Sequence, residues 1–239
     1  MLLVGLTGGI ATGKSTTSRI LRERYGAPIV DADVIAREVV EPGTSAYKKI
    51  VARFAKDSPD LLLEDGSLNR PVLGRLVFGP ENEAARKDLN SIVHPAVRWE
   101  MARQVLVAWA VGHRMVILDV PLLFESKLDR FVGTSMAVVC SEEVELERLL
   151  ARDSFLDKDD AEKRIASQMS LDEKRRLADH VIENNGGLEE LEGQIDAVIR
   201  KIRPSAAWTF IEWVLPPVGL LSALYYFVMR NYYQPKAKL

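Results

Sequence analysis

Eight consecutive residues, Gly8-Gly9-Ile10-Ala11-Thr12-Gly13-Lys14-Ser15, carry the clearest chemistry in this chain of 239 residues. They satisfy G-x-x-x-x-G-K-[ST], the spacing of a phosphate-binding P-loop. The glycines let backbone N–H groups turn inward on a polyphosphate, and a following helix N-terminus adds partial positive charge. In such a loop Lys14 reaches the β- and γ-phosphates, and the Ser15 hydroxyl ligates Mg²⁺. Gly8 through Thr16 are therefore the candidate ATP-binding stretch. A glycine-rich turn with a chance lysine is the competing reading, and the flanking sequence opposes it. An apolar run, Leu2 to Leu6, precedes the loop as a strand, and Ser18 to Tyr25 follows as a helix.

Carboxylates supply the second set of candidates. Asp31-Ala32-Asp33 follows the short apolar pair Ile29-Val30. A carboxylate at the end of a strand can accept a proton from an attacking hydroxyl and orient it in line with the γ-phosphorus. Aspartate is also a favoured helix N-cap, and both roles fit: Asp33 as the base, Asp31 in support. Val116-Ile117-Leu118-Asp119 is a strand ending in an acid, as a Walker B segment does, so Asp119 is a candidate to approach Mg²⁺. Glu125, after Pro121-Leu122-Leu123-Phe124, is either a second site carboxylate or a loop residue. Arg148 and Arg152 lie four apart on a predicted helix, hence on one face, and Arg164 and Gln168 repeat that spacing in the next. Arginines there could close over a triphosphate as a lid or form solvated pairs with Glu145 and Asp153. His94-Pro95 is biased towards extended backbone and reads equally well as a helix end.

These residues need a scaffold with strand ends on one edge. Leu2–Leu6, Ile29-Val30, Met115–Leu118 and Met136–Val139 read as strands, with helical patterns between them that include Val97–Trp109 and Glu143–Ala151. Alternation of that kind implies an α/β fold: a doubly wound parallel sheet of P-loop NTPase type, helices on both faces, ligands at the carboxyl ends of the strands. Residues 34–112 hold too much helical pattern for one crossover and are expected to form an inserted helical substrate lobe. Residues 154–180, dense in charge and poor in aromatics, are expected to be mobile, exposed helices. The core then comprises 1–33, 113–150 and 178–203, with a lid at 151–177. A composition of 47% hydrophobic and 28% charged residues is that of a globular protein, and a net charge of −2 gives no reason to expect nucleic acid. The single cysteine, Cys140, excludes an intramolecular disulfide framework and reads as a buried strand residue. With the first strand beginning at Met1, no room is expected for a cleavable presequence.

Beyond Arg203-Pro204 the composition changes. Trp208 to Met229 contains one charge, Glu212, and the 17 residues from Trp213 to Met229 contain none. That is the short end for a membrane-spanning helix, which needs ~20. Trp208 and Trp213 on one side, and Tyr225, Tyr226, Tyr232 and Tyr233 towards the other, resemble interfacial belts. Arg230, Lys236 and Lys238 follow without an acidic side chain. Pro216-Pro217 argues against a straight helix. The expectation is a tail anchor at 204–239 with the catalytic part facing the cytosol, on the endoplasmic reticulum or the outer mitochondrial membrane. The alternatives are a last helix packed on the core and a dimerisation segment.

Taken together, the segments resemble the dephospho-CoA kinase family from Leu2 to about Ile199. The markers are Gly5-Leu6-Thr7-Gly8-Gly9-Ile10, Asp31-Ala32-Asp33, Val39-Val40-Glu41-Pro42-Gly43, Leu68-Asn69-Arg70, Val93-His94-Pro95, Asp119 to Glu125, Arg152-Asp153 and Val181 to Gly186. The tail makes this a eukaryotic-type member. The resemblance implies transfer of phosphate from ATP, with Mg²⁺, to the ribose 3′-hydroxyl of dephospho-CoA. It places Asp33, Lys14 and Arg152 in catalysis, Arg148, Asn184 and Asn185 on ATP, with Asn184-Asn185-Gly186 near the adenine, and Asp33, Arg70, His94 and Leu122 on the acceptor. Ser15 and Asp119 fall on the metal. Ala11-Thr12 stands where bacterial members often have Gly-Ser, a change that keeps the backbone donors. Two rivals remain: a kinase of the nucleoside monophosphate kinase type, and a non-catalytic P-loop switch or membrane scaffold. An N-K-x-D guanine-reading motif, expected of a GTPase switch, is absent from the sequence.

Overall fold

Strand β1 (Leu2–Gly8) is buried from Val4 onward because it has neighbours on both sides. A computed structural model describes residues 1–233, and in it five strands form one sheet in the order β2-β3-β1-β4-β5. The others are β2 (Ile29–Asp31), β3 (Met115–Asp119), β4 (Thr134–Val139) and β5 (His180–Glu183). β1 runs parallel to β3, with Leu2 opposite Met115, and parallel to β4, with Val4 opposite Thr134; β4 pairs parallel with β5. Side chains alternate between faces along a strand, and β4 shows both being used. Met136 and Val138 join Ile20 and Leu21 of α1 (Lys14–Tyr25), together with Leu191, Ile195 and Ile199 of a late helix, Leu188–Ile202. Ala137 and Val139 instead pack with Leu171 and Val144. Helices thus cover both faces, as expected for a parallel sheet.

Between β2 and β3 lie α2 (Ala32–Glu38), α3 (Ser45–Phe54), α4 (Arg70–Val77) and α5 (Glu83–Ala110). After β4 come α6 (Glu142–Arg152), α7 (Lys158–Ala166) and α8 (Leu171–Leu177), then β5 and the late helix α9 (Leu188–Ile202). β5 ends the sheet, and Gln194 of α9 closes its open edge: its Oε1 accepts from Glu183 N–H and its Nε2 donates to Glu183 C=O, both at 2.7 Å. Unpaired edge groups are a liability that such a clamp removes.

The chain divides into two compact units, Met1–Val30 with everything from Val107 onward, and Asp31–Leu106. The division falls at 31 and 106 where the sequence suggests 34 and 112. Asp31 already belongs to the inserted unit because its Oδ1 caps α2, accepting from Asp33 N–H at 2.9 Å and Val34 N–H at 3.0 Å. The inserted unit has its own core of Ile50, Phe54, Leu61, Leu68 and Val77.

Several expectations need correction. His94-Pro95 neither extends nor ends a helix: both lie inside the 28-residue α5, where proline forfeits one backbone hydrogen bond without stopping the helix. The stretch 154–180 is not uniformly exposed, since Ala161, Leu171, Lys174 and Leu177 are buried. Gln168 does not share a helical face with Arg164, because α7 ends at Ala166. As Pro216-Pro217 already implied, the tail is not one straight helix. It forms α10 (Ala206–Val214) and α11 (Pro216–Val228), bent by 115° at a break where Pro216-Pro217 follows Leu215, and no single helix among the described residues is long and apolar enough to cross a membrane. Lys236 and Lys238 lie outside the described residues.

Candidate active site

β1 delivers its chain directly into the P-loop, and two residues take left-handed backbone to make the turn: Ala11 at φ 58° and Gly13 at φ 96°. Thr12 is fully buried, its hydroxyl donating to Gly9 C=O at 3.0 Å. Gly13 is the N-cap of α1, which starts at Lys14, so Ser15 and Thr16 lie in the turn whose N–H groups carry no intrahelical partner. Lys14 Nζ donates to Asp119 Oδ1 at 2.5 Å, and Asp119 is 2% exposed at the end of β3. This joins the P-loop lysine to the strand-end acid that the sequence assigned to the metal. The Ser15 side chain is exposed at the helix start.

Behind the loop stands a second layer. Asn184, just past β5, donates from Nδ2 to Thr12 C=O at 2.8 Å, and a Cβ on Gly13 would come within 2.2 Å of that same Nδ2. Asn184 therefore braces the loop from the protein side. Asn185 Oδ1 accepts from Ser141 N–H at 2.7 Å and ties the start of α6 to the same turn. Glu145 of α6 is 3% exposed, and a Cβ on Gly9 would lie 2.4 Å from its Oε1. Burial, with Glu142 adding repulsion, raises the Glu145 carboxyl to about 7, and Lys174 offsets part of that. Lys174 of α8 is itself fully buried, donating to Glu125 Oε1 at 2.7 Å and Pro121 C=O at 3.1 Å. Thr7, in β1, donates to the same carbonyl at 2.7 Å. Glu125 is thus an ion-pair partner anchoring α8. Cys140 is a buried strand-end thiol, raised to about 11 mainly by burial.

Of the arginines, Arg148 donates to Asn184 C=O at 2.8 Å and Gly186 C=O at 3.4 Å, holding the Asn184-Asn185-Gly186 turn. Arg152 pairs side by side with Asp153 at 3.0 and 3.1 Å, and Arg164 lies 3.6 Å from Asp153. These are the local pairs weighed as the alternative to a lid, with Glu145 outside them. Leu122 is 46% exposed beyond β3. In the inserted unit, Asp33 is exposed in the first turn of α2, while Asp31 caps that helix. Arg70 donates to Glu41 Oε1 at 3.3 Å and lines a cleft of about 400 Å³ with Glu41, Asp65 and Ser67; His94, exposed on α5, is not among its lining residues.

Sequence reasoning missed Glu145 and Lys174. The signal for Lys174 was present: Ser170-x-x-Glu173 forms a capping box, and Leu171, Lys174 and Leu177 recur on one helix face. Glu145 had none, since a charge in a helix's first turn is usually solvated.

A parallel sheet whose central strand runs into a P-loop, with the loop lysine against the acid ending the next strand, defines a P-loop nucleotide-binding fold. Comparison with known proteins narrows the class. The sequence model of dephospho-CoA kinase matches residues 2–190. The chain is 49% identical to dephospho-CoA kinase CAB5 of Saccharomyces cerevisiae, over 93% of this chain and 91% of that protein. It is 48% identical to a Bacillus cereus dephospho-CoA kinase, over 88% of this chain and 99% of the other. Among solved structures, TT1252 from Thermus thermophilus superposes with a TM-score of 0.68 at 31% identity, covering 85% of this chain and 98% of its own. The dephospho-CoA kinase from Campylobacter jejuni gives 0.60 at 26% identity, covering 84% and 97%. The chain belongs to the dephospho-CoA kinase family.

Proposed function

We propose that the chain carries out its family's reaction, transferring the γ-phosphoryl group of ATP to the ribose 3′-hydroxyl of dephospho-CoA to give coenzyme A and ADP. The observation that carries this reading is the 2.5 Å pairing of Lys14 with Asp119 in an intact P-loop, within a chain that matches the family from residue 2 to 190. Backbone N–H groups of Gly8 to Thr16 hold the polyphosphate, and Lys14 neutralises charge as it moves to the leaving oxygen. Asp33 accepts the proton of the attacking hydroxyl. Arg70 binds an anionic group of the acceptor, and Arg152 screens the transferring phosphoryl.

Mg²⁺ fits the donors present. Among the described residues no group of three or more His, Cys, Asp or Glu could hold a metal by itself, which suits an ion carried mainly by phosphates and water. The Ser15 hydroxyl and Asp119 would complete its surroundings, and the ion would supply charge neutralisation on the phosphates. We also propose that the protein works at a membrane surface, facing the cytosol at the endoplasmic reticulum or outer mitochondrial membrane; the apolar tail supports this, and fractionation of cells expressing the full chain tests it.

The reaction is tested by ADP release from the purified protein with Mg-ATP, with and without dephospho-CoA, and by the mass of the product. Strong stimulation and a gain of one phosphate are expected. No stimulation while ATP still binds would overturn the acceptor, and AMP, CMP and gluconate would be tried next.

A further inference from the structure

Among the described residues, the tail's hydrogen bonds and ion pairs to the rest of its unit land at one edge of the sheet. Arg230 Nη1 donates to Asp179 Oδ2 at 2.8 Å, just before β5, and its Nη2 lies 3.3 Å from Ser135 Oγ near the start of β4. Glu212 pairs with the amino group of Met1, ahead of β1. Arg114, ahead of β3, donates from Nε to Pro204 C=O at 3.1 Å, and Trp213 Nε1 donates to Ala110 C=O at 3.1 Å. These are the N-terminal ends of parallel strands, opposite the P-loop. A seven-residue strand separates the two edges by ~20 Å.

The tail therefore leaves this edge and returns to it. Glu212 and Arg230, its two charged residues among the described ones, are 4% and 9% exposed, and both are clamped to the core. A bilayer-spanning arrangement would carry Arg230 away from Asp179 and leave its guanidinium, 9% exposed here, without that carboxylate. The outward surface is apolar instead: Phe210, Leu220, Leu221, Leu224 and Tyr225 are 57–73% exposed. Patches of that kind mark binding surfaces. Exposed Arg200, Lys201 and Arg203 precede it, and Lys236 and Lys238 follow in the sequence with no acidic side chain. A second copy docking here would bring like-charged rims together, whereas anionic lipid headgroups would neutralise them.

We infer that α10 and α11 lie in the plane of an anionic lipid bilayer, seating the strands' N-terminal edge on the membrane and turning the nucleotide end towards water. This rests on the membrane reading proposed above and adds its geometry: Trp208, Trp213 and Tyr225 sit at headgroup depth, and neither α10 nor α11 crosses.

The test uses the full chain with sealed phosphatidylcholine vesicles, with and without phosphatidylserine. Expected is co-sedimentation that strengthens with phosphatidylserine and weakens with salt. The double variant L220D/L224D, at exposed positions, should bind about tenfold or more weakly with unchanged turnover in solution. Ala206→Cys and Tyr232→Cys, made separately, should both react with a membrane-impermeant maleimide added outside the vesicles. Protection of Tyr232→Cys alone would show a span and overturn the in-plane geometry while leaving membrane attachment standing. Failure of the full chain to bind any vesicle would overturn both, and a dimer that L220D/L224D dissociates would assign the face to a second copy.

Discussion

Replacing Glu145 by glutamine isolates the cost of a carboxyl buried behind the phosphate-binding loop. The ordinary glutamate value is 4.5, and the folded value is about 7. A carboxyl raised in the folded state contributes stability fully present below 4.5 and lost as pH rises towards 7, because the unfolded chain ionises first. At ~1.4 kcal/mol per unit, the gap between 4.5 and 7 amounts to about 3 kcal/mol above pH 7. Glutamine has the same shape and no charge to bury. Glu145→Gln should therefore be more stable than the parent by about 3 kcal/mol at pH 8, converging with it as pH falls to 4.5. Urea unfolding at a series of pH values reads this directly. Glu142 and Lys174, the charged groups that bear on Glu145, are left unchanged in the variant, so the pH-dependent difference between variant and parent belongs to Glu145. Because its Oε1 lies against Gly9, the ionised side chain also puts negative charge behind the polyphosphate. The variant should bind ATP more tightly above pH 7 and equally below pH 5. A stability difference that does not change with pH, or one that favours the parent at pH 8, would refute the reasoning.

Asp33→Asn should lower turnover by ~10²–10⁴ if Asp33 is the general base, with ATP affinity unchanged; full turnover would remove Asp33 from the mechanism. Lys174→Met strips the buried ammonium from Glu125, a carboxylate that water still reaches, and should cost about 1–2 kcal/mol in urea unfolding. Adding Glu125→Gln should recover part of that loss, and a single-variant cost below about 0.5 kcal/mol would show the pair to be unimportant. Ala11→Gly relieves a left-handed alanine worth ~1–2 kcal/mol and adds unfolded-chain freedom worth ~0.4–1 kcal/mol. The net expectation is a gain of up to about 1 kcal/mol in thermal or urea unfolding, and a clear loss would show that Ala11 is held by its methyl contacts.

The loop, the strand-end acid and the α/β alternation were legible because each follows from short-range rules. Gly13, Lys14 and Asp119 occupy fixed positions around a strand end, and apolar runs such as Met136–Val139 belong only in a two-faced sheet. Short β5 escaped because His180 and Glu183 dilute its apolar pattern. Helix α5 continued through Pro95 because the neighbouring turns absorb one missing hydrogen bond. The second layer was harder to see: Asn184 against Thr12 and Glu145 against Gly9 join residues over a hundred positions apart, so spacing carries no trace of them. The tail shows the same limit. Its composition suggested lipid, yet the clamps at Glu212 and Arg230 that decide its path are single charged residues whose partners lie far away in sequence.

The strand order β2-β3-β1-β4-β5 also governs how the chain can assemble as it is made. β1 is synthesised first, yet both of its partners come late: Leu2 waits for Met115 and Val4 for Thr134. Until then this apolar strand has no ladder to join. The Asp31–Leu106 segment, with its own core, can meanwhile collapse locally. Long-range parallel pairing is slow and leaves sticky segments exposed, so during translation the nascent P-loop strand is the segment in greatest need of a chaperone. Mutations that weaken β3 should then lower the yield of soluble protein more than the activity of the molecules that fold.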